Sequence, residues 1–246
     1  MCRLLAYAST EPATLATIVG PTLSDFVELS KEHKHGWGVT TCASIGGVQE
    51  RERDLAPAVE SELFAEVAST KPSDGALVHL RLASKGLTVD LSNNHPFIHG
   101  DISFMHNGTI RPASSIEHLV DADLLAQITS TTDSERYFFA ILTAAKKMGL
   151  IEAIATTVKE IANTADYSSI NSITLTPDFL IAVCQFNVAE QSEWTVPFHY
   201  ELRFAKEDGA IKVASTGWGH DDWTPLTNGK MLVVNRADLS YKILDI

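Results

Sequence analysis

The cysteine at position 2 is the first residue whose chemistry stands out. A small second residue permits removal of the initiating methionine, which would leave a thiol and a free α-amine together on Cys2. Their reference pKa values are close, about 8.5 and about 7.7–8.0, so near neutral pH the amine can accept the thiol proton, directly or through water. The pattern fits a nucleophile that carries its own base. The competing interpretation is a small, inert residue that begins an edge strand.

Asn107 and Gly108 directly follow a short apolar stretch and have two interpretations. An Asn-Gly pair at the end of a strand is among the strongest signals for a turn, and taken alone it predicts one here. The same pair could aim a side-chain amide and a backbone N–H at one point. Two such converging donors would form an oxyanion hole.

Two charged residues could grip the ends of an amino acid. Arg81 lies where an apolar strand should give way to a loop, and an arginine in a pocket can hold a carboxylate with two parallel hydrogen bonds. Asp133 lies at a predicted helix start, where acidic residues are common caps. Its alternative role would be to bind an ammonium group.

Six short motifs, taken in order, resemble the class II glutamine amidotransferases, which belong to the N-terminal-nucleophile hydrolases. The resemblance covers about the first 136 residues strongly and is greatest to the stand-alone branch, which includes hydrolases of γ-glutamyl compounds. The motifs are Cys2-Arg3-Leu4-Leu5, His33 to Gly38, His79 to Gly86, Asn94-His95-Pro96-Phe97, His106-Asn107-Gly108 and Thr132-Asp133-Ser134-Glu135.

The resemblance implies an α+β fold, a four-layer αββα sandwich of two antiparallel sheets flanked by helices. It also implies the catalytic roles. Cys2 would attack the γ-carboxamide of glutamine or of a γ-glutamyl amide, and Asn107 with Gly108 would hold the oxyanion. The products would be a thioester and ammonia or an amine, followed by glutamate. No cofactor is implied.

The resemblance further implies which residues bind the substrate. Arg81 would hold its α-carboxylate and Asp133 its α-ammonium, which would select a free amino-acid end. The residues expected in substrate binding are Arg81, Ser84, His106 and Asp133.

Three residues depart from the family pattern. Leu82 and Lys85 stand in the loop after Arg81, where amidotransferases often have Trp-Ala-Thr-His-Gly. His35 replaces the usual acid before Gly-Trp-Gly. If that acid normally orients the amino terminus, His35 changes the local charge that acts on the pKa of the Cys2 amine.

Histidine pairs could suggest a metal site, but we expect none. His33 and His35 lie two apart and His95 and His99 four apart, yet Pro96 disfavours a helix and no acidic or cysteine cluster completes either pair. Other residues with reactive or aromatic side chains are expected to pack in the core, although the tryptophans could line a pocket rim. These are Cys42, Cys184, Trp194, Trp218 and Trp223.

The composition is that of a globular protein with an acidic surface. The 246 residues are 45% hydrophobic and carry a formal charge of −12, so neither nucleic acid nor a membrane surface is an expected partner. Three well-separated cysteines and the lack of a signal-like leader favour a reduced, cytoplasmic protein. We expect a single amidotransferase-type domain over residues 1–246, and leave a homodimer open.

The elements that must position these residues follow from hydrophobic spacing. Helices are predicted at Ala56–Ser69, Ser134–Met148 and Ile151–Ala162. A hairpin turn is predicted at Ile45-Gly46-Gly47. Strands are predicted at Cys2–Ala8, Gly38–Ala43, Val48–Glu52, Ala76–Leu82, Ile102–His106, Ser172–Thr176, Phe179–Val188, Tyr200–Lys206, Ala210–Ser215, Met231–Val234 and Leu239–Ile246.

The leading hypothesis is an amidohydrolase that acts on glutamine or a γ-glutamyl amide, either alone or as the ammonia source for a separate synthase subunit. The alternatives are a binding or regulatory module with a degenerate site, and an N-terminal-cysteine amidase for other acyl groups. The second alternative predicts an apolar acyl pocket in place of the pair of charges at Arg81 and Asp133.

Overall fold

The computed structural model describes residues 2–42, 49–84, 86, 88–190, 199–220 and 222–246. Two antiparallel sheets lie face to face, and helices cover the outer face of each sheet, so the predicted four-layer α+β sandwich is confirmed.

The first sheet has Arg3–Ala13 at its centre, and this long strand begins directly after Cys2. Its apolar residues alternate between the two faces of the sheet. Leu4 and Ala6 enter the core between the sheets, whereas Leu5 and Tyr7 face the helices. In sheet order the strands are β11 (Thr224–Leu226), β9 (Leu202–Glu207), β10 (Ala210–Ser215), β1 (Arg3–Ala13), β4 (Ser73–Leu80), β2 (Trp37–Cys42) and β3 (Gln49–Asp54).

The second sheet supplies the opposite wall of the core. Its strand β6 faces β1 and β4 across the sandwich and pairs with β7 along most of its length. In sheet order the strands are β13 (Tyr241–Asp245), β12 (Lys230–Asn235), β8 (Phe179–Cys184), β7 (Asp166–Leu175), β6 (Ile102–Arg111) and β5 (Phe97–His99).

The helices bury their apolar sides against the sheets. On the second sheet lie α5 (Asp133–Ala145) and α6 (Leu150–Thr164), which pack on each other and on residues such as Phe104. On the first sheet lie α1 (Leu15–Val19), α2 (Leu23–Glu28) and α3 (Glu62–Thr70). A short helix, α4 (Ala122–Leu125), precedes α5. None of the described helices is both long and apolar enough to cross a membrane.

The Asn-Gly turn is a wrong prediction, because β6 continues through Asn107 and Gly108 to Arg111. The strand pairing shifts register after Gly108, as expected of a β-bulge. A side chain at position 108 would overlap the backbone carbonyl of Ser169 on the neighbouring strand. Glycine at position 108 therefore permits the close approach of β6 and β7, and the chain does not reverse direction here.

The helix predicted over Ala56–Ser69 starts later than expected. Ser61 is its N-cap and accepts a hydrogen bond from the Phe64 N–H, and only Ala58–Glu60 before it forms a short 3₁₀ turn. The flanks of the predicted hairpin are the paired strands β2 and β3, while the turn itself lies outside the described residues.

A buried ion pair ties the two sheets together at the end of β4 distant from Arg81. Arg236, which follows β12, has its Nη2 atom 2.6 Å from Oδ1 of Asp74 on β4. The guanidinium also donates to the Thr176 carbonyl at 2.7 Å. A Cβ on Gly75 would lie only 2.8 Å from the Arg236 Nη2 atom, so Gly75 makes room for this arginine.

Candidate active site

Cys2 lies at the entrance to the central strand, partly buried, where its thiol donates to the Leu82 carbonyl with an S–O distance of 3.7 Å. Side chains alternate along a strand, so Cys2 shares a face with Leu4 and Ala6. These two residues lie in the core between the sheets, and Cys2 is therefore on the face toward the second sheet. The start of the strand is fixed by the Leu4 N–H, which donates to Ser215 Oγ at 3.0 Å.

Burial raises the pKa of the Cys2 thiol, although the positive charges of Arg81 and Arg3 act in the opposite direction. The protonated thiol is therefore favoured near neutral pH, and nucleophilic attack needs a proton acceptor. Among the described residues, no histidine or carboxylate accepts a hydrogen bond from this thiol. An α-amine on Cys2 itself would meet that need.

Arg81 follows β4 and is held almost entirely by neutral acceptors. Its Nη1 donates to Asn94 Oδ1 at 2.9 Å, and its Nη2 donates to the Thr88 carbonyl at 2.9 Å. The side chain is buried, and within the described part of the chain it forms no ion pair. A buried guanidinium without a carboxylate partner is suited to receive one from a ligand.

His35 positions the loop that carries Arg81. The Nδ1 atom of its ring accepts from the Ala83 N–H at 3.0 Å, and the backbone N–H of His35 donates to the Arg81 carbonyl at 3.0 Å. Burial, followed by the charge of Arg81, lowers the pKa of His35, which favours the neutral imidazole that can accept at Nδ1. His35, which replaces the acid usual in the family, thus holds the backbone at Arg81 and Ala83 in place.

Asp133 is the first residue of α5, where Thr132 serves as the N-cap and accepts from the Glu135 N–H. The predicted helix start is confirmed. The Asp133 Oδ2 atom accepts from the Ile110 N–H at 2.6 Å, which ties the helix to β6 and fixes the carboxylate.

The tautomer of His106 leaves the other Asp133 oxygen available. His106 Nε2 lies 3.1 Å from the Ser169 carbonyl and Nδ1 lies 2.9 Å from Ser134 Oγ. Burial lowers the pKa of His106, so the ring is neutral; because a carbonyl only accepts, Nε2 carries the proton and Nδ1 accepts from the Ser134 hydroxyl. Ser134 then has no proton left for Asp133 Oδ1, 3.4 Å away.

One cavity of about 30 Å³ gathers most of the predicted site residues: Cys2, Arg81, Ser84, His106, Gly108 and Asp133 all line it. Ser84 stands opposite Thr109, with their hydroxyls 3.4 Å apart. This volume is below the range of about 300–1,000 Å³ of typical ligand pockets. Lys85 lies outside the described residues.

Asn107 is the one predicted site residue that does not line this cavity. It shares the strand face of Met105, which lies in the core between the sheets. Its side chain is buried, and neither its oxygen nor its nitrogen has a hydrogen-bond partner among the described residues. A buried amide in this state is costly and calls for a functional or ligand-related explanation.

Sequence reasoning missed the individual roles of Ser134, Asn94 and His95. Ser134 fixes His106, and Asn94 holds Arg81. His95 lines the cavity and its ring packs against that of His79, with centroids 4.3 Å apart and the ring planes tilted by 45°. The signal was present, since all three lie inside motifs that carried the family resemblance. What the sequence lacked was the pairing of specific atoms.

The remaining reactive and aromatic residues belong to packing. Cys42 and Cys184 are buried, and Trp218 packs edge-on against Phe26 with centroids 5.3 Å apart. Trp194 lies outside the described residues. The described residues contain no group of three or more histidine, cysteine, aspartate or glutamate side chains arranged to hold a metal ion.

The two facing sheets, with a cysteine leading into the central strand of one of them, define an N-terminal-nucleophile hydrolase type of fold. A family model described as class-II glutamine amidotransferases matches residues 1–243. The chain therefore belongs to the class II glutamine amidotransferases.

Comparison with individual proteins agrees with this assignment. The chain is 25% identical over 169 residues to a protein of Saccharomyces cerevisiae named "Probable glutamine amidotransferase DUG3". That match covers 61% of this chain and 47% of the yeast protein, so the chain spans about half the length of that relative.

Two solved structures share the fold over almost the whole of this chain. A glutamine aminotransferase class-II domain protein from Silicibacter pomeroyi is 19% identical with a TM-score of 0.69, covering 100% of this chain and 99% of that one. Glutamine phosphoribosylpyrophosphate amidotransferase from B. subtilis is 18% identical with a TM-score of 0.65, covering 99% of this chain and 49% of that one. At these identities the likeness shows the fold.

Proposed function

We propose that this protein hydrolyses the γ-carboxamide of glutamine, or of a γ-glutamyl amide or peptide, through a thioester on Cys2. One observation carries the proposal. A single cavity in a class II glutamine amidotransferase is lined by a thiol, by a buried arginine that has no ion-pair partner among the described residues, and by a carboxylate with one oxygen that no described donor occupies.

The first step would be removal of Met1, which frees the α-amine of Cys2. That amine would take the thiol proton, and the thiolate would attack the γ-carbonyl carbon to form a tetrahedral adduct. The raised pKa of the thiol and its lack of a described histidine or carboxylate acceptor support a base supplied by Cys2 itself.

Asn107 and Gly108 would stabilise the developing oxyanion. Gly108 lines the cavity with Cys2, and the amide of Asn107 keeps its hydrogen-bonding capacity on the strand face toward the sheet that contains β1. Losing one such donor typically costs about 10²–10³ in turnover. Collapse of the adduct would release ammonia or an amine, and water would then release glutamate.

Arg81 and Asp133 would select the amino-acid end of the substrate. The guanidinium would bind the α-carboxylate and Asp133 Oδ1 the α-ammonium. A ligand without either charge would leave the opposite charge buried and unpaired. The charged lining of the cavity also argues against the amidase alternative, which predicts an apolar acyl pocket.

Ser84 and His106 would support this site from its walls. Ser84 lies in the loop that faces Thr109, and His106 accepts the Ser134 hydroxyl proton, which leaves Asp133 Oδ1 available. We further propose that residues 1–246 act as one domain. A separate synthase that receives the ammonia is an optional partner, and the stand-alone hydrolase is our first choice.

The test measures glutamate release from L-glutamine and from a series of γ-glutamyl amines and peptides. The protein used should be shown by intact mass to lack Met1. Cys2→Ala should abolish release, and Cys184→Ala, which removes a buried thiol elsewhere, should retain it. Folded protein that releases no glutamate from any of these compounds, or release that survives in Cys2→Ala, would overturn the proposal.

A further inference from the structure

A second and larger cavity lies beside the candidate active site. It has a volume of about 390 Å³, and its lining combines charged, aromatic and neutral polar side chains, among them Arg51, Arg53, Glu135, Phe97, Phe139 and His99. The chain segments around residues 92–97 and 127–135 contribute to both cavities but present different side chains to each. Of the two cavities, only the smaller one is lined by Cys2.

The two arginines are bound by neutral oxygens. Arg51 Nη1 donates to the Pro96 carbonyl at 3.2 Å, and Arg53 Nη1 donates to the carbonyls of Leu91 at 2.7 Å and Asn94 at 3.0 Å. Neither guanidinium forms an ion pair with any described carboxylate. Their side chains are thus fixed in place by neutral acceptors, and among the described carboxylates Glu135 acts on the charge of both and Asp90 on that of Arg53 without a direct ion pair.

Glu135, which also lines this cavity, favours the charged forms of both arginines but forms no ion pair with either. Its Oε2 atom accepts from the N–H groups of Thr129 at 2.9 Å and Ser130 at 2.6 Å, and Oε1 accepts from the Thr129 hydroxyl at 3.3 Å. Both carboxylate oxygens are engaged in holding the loop before α5. With two arginines against one glutamate, the cavity keeps a net positive charge.

The electrostatics of the arginine pair agree with this geometry. Burial and the neighbouring charge of Arg51 lower the pKa of Arg53 to about 10, although Asp90 and Glu135 act in the opposite direction. Burial also lowers the pKa of Arg51. An anion between the two guanidinium groups would relieve their repulsion and form charge-assisted hydrogen bonds.

We propose that this cavity binds a small molecule through an oxyanion, phosphate or carboxylate, held by Arg51 and Arg53, with its apolar body against Phe97 and Phe139. The volume falls within the range of small-molecule sites, and the aromatic rings provide an apolar wall. Asn94 separates the two sites, since its carbonyl accepts from Arg53 while its side chain accepts from Arg81. The proposal does not depend on the catalytic chemistry.

Calorimetric titration of the full chain with four probes tests the proposal. Phenyl phosphate and benzoate carry the ring with a phosphate or a carboxylate, inorganic phosphate carries the charge alone, and benzyl alcohol carries the ring alone. We expect phenyl phosphate or benzoate to bind, whichever anion fits, and benzyl alcohol to bind at least roughly 10-fold more weakly. Inorganic phosphate should bind more weakly than phenyl phosphate if phosphate is the preferred anion.

Variants locate the site. Arg53→Gln should weaken the binding of the preferred probe by roughly 10–100-fold, as expected for a lost hydrogen bond to a charged group. Arg111→Gln is the matched control, because it removes an exposed arginine that pairs with Asp166 and Glu190 elsewhere, and it should leave binding unchanged. Equal affinity in Arg53→Gln and wild type, or benzyl alcohol as tight as the anions, would overturn the proposal.

A second measurement does not depend on the folding of the variants. The wild-type protein is modified with phenylglyoxal with and without the preferred probe, and each arginine is quantified by peptide mass spectrometry. Saturating probe should slow modification of Arg51 and Arg53 relative to Arg111. Unaltered rates at both β3 arginines would refute the site.

Discussion

Asn107 and Asn171 face each other across β6 and β7 in the same register, yet only one of the two amides is hydrogen-bonded. Asn171 Nδ2 donates to the Tyr200 carbonyl at 2.5 Å and its Oδ1 accepts from the Gln185 N–H at 2.7 Å. Asn107 has no partner among the described residues. The Asn171 side chain therefore contributes hydrogen bonds to the fold, whereas the Asn107 side chain contributes none within the described residues.

Replacing each asparagine by alanine should separate function from stability. Asn107→Ala should lower kcat for glutamate release by about 10²–10³ with little loss of unfolding free energy, because no described partner is left unsatisfied. Asn171→Ala should lower the free energy of unfolding by about 1–3 kcal/mol, since it leaves the buried Tyr200 carbonyl and the partly buried Gln185 N–H without their partner. Steady-state kinetics and urea unfolding of both variants measure this; a stability loss in Asn107→Ala equal to that in Asn171→Ala would contradict it.

Asp133→Asn tests recognition of the substrate ammonium. The amide oxygen can still accept from the Ile110 N–H, so the change removes mainly the charge. Wild type should prefer glutamine over Nα-acetylglutamine by kcat/KM, and the variant should narrow that preference by roughly 10–100-fold. If both proteins discriminate equally, Asp133 does not read the ammonium group.

Because two histidines are buried in neutral form, we expect the free energy of unfolding to fall with pH already above the range where carboxylates titrate. Burial, followed by the charge of Arg81, lowers the pKa of His79 to about 3, and burial also lowers the pKa of His95 well below its usual value. In the unfolded chain these imidazoles bind protons below about pH 6.5, whereas in the folded state they stay neutral down to a lower pH. Stability is therefore fully present above that pH and is lost as pH falls toward the folded pKa.

The expected slope is up to about 1.4 kcal/mol per pH unit for each such histidine. Urea unfolding between about pH 7 and about pH 5.5 measures it. His79→Gln should flatten the slope, whereas His118→Gln, at an exposed position, should leave it unchanged. A slope identical in all three proteins would rule out His79 as a source.

The ion pair between Asp74 and Arg236 should stabilise the contact between the sheets. Asp74→Asn leaves a fully buried guanidinium without its charge partner, and we expect a loss of about 3–5 kcal/mol in the free energy of unfolding. Replacing the exposed Asp166 by asparagine breaks the surface pair with Arg111 and should cost at most about 1 kcal/mol. Comparable losses in the two variants, measured by urea unfolding, would contradict the assigned role.

Local sequence signals predicted the main elements where spacing and capping agreed. Thr132 and Glu135 marked the start of α5, and the apolar spacing of α6 marked its buried side. The short helices α1 and α2 and the three-residue strands β5 and β11 were not predicted, because elements this short are stabilised by tertiary packing. The turn at Asn107-Gly108 was wrong because close contact with Ser169 outweighed a local preference.

The motifs predicted which residues form the candidate site, but they could not predict which atoms form hydrogen bonds with each other. Spacing could suggest that Arg81 and Asp133 are charged ends of a pocket; it could not show that Ser134 donates to His106 and leaves Asp133 Oδ1 available. Arg51 and Arg53 in β3 show the same limitation. The fold places backbone carbonyls of Leu91, Asn94 and Pro96 beside them, and no described carboxylate forms an ion pair with either.

Mass spectrometry after reaction with 6-diazo-5-oxo-norleucine, a glutamine-like covalent reagent, tests the central claim most directly. Intact mass first establishes whether Met1 is gone, and peptide mapping then locates the adduct. The account predicts a protein that begins at Cys2 and carries a single adduct on its thiol, with glutamate release lost in proportion to labelling. An active protein that retains Met1, or an adduct on any other residue, would contradict it.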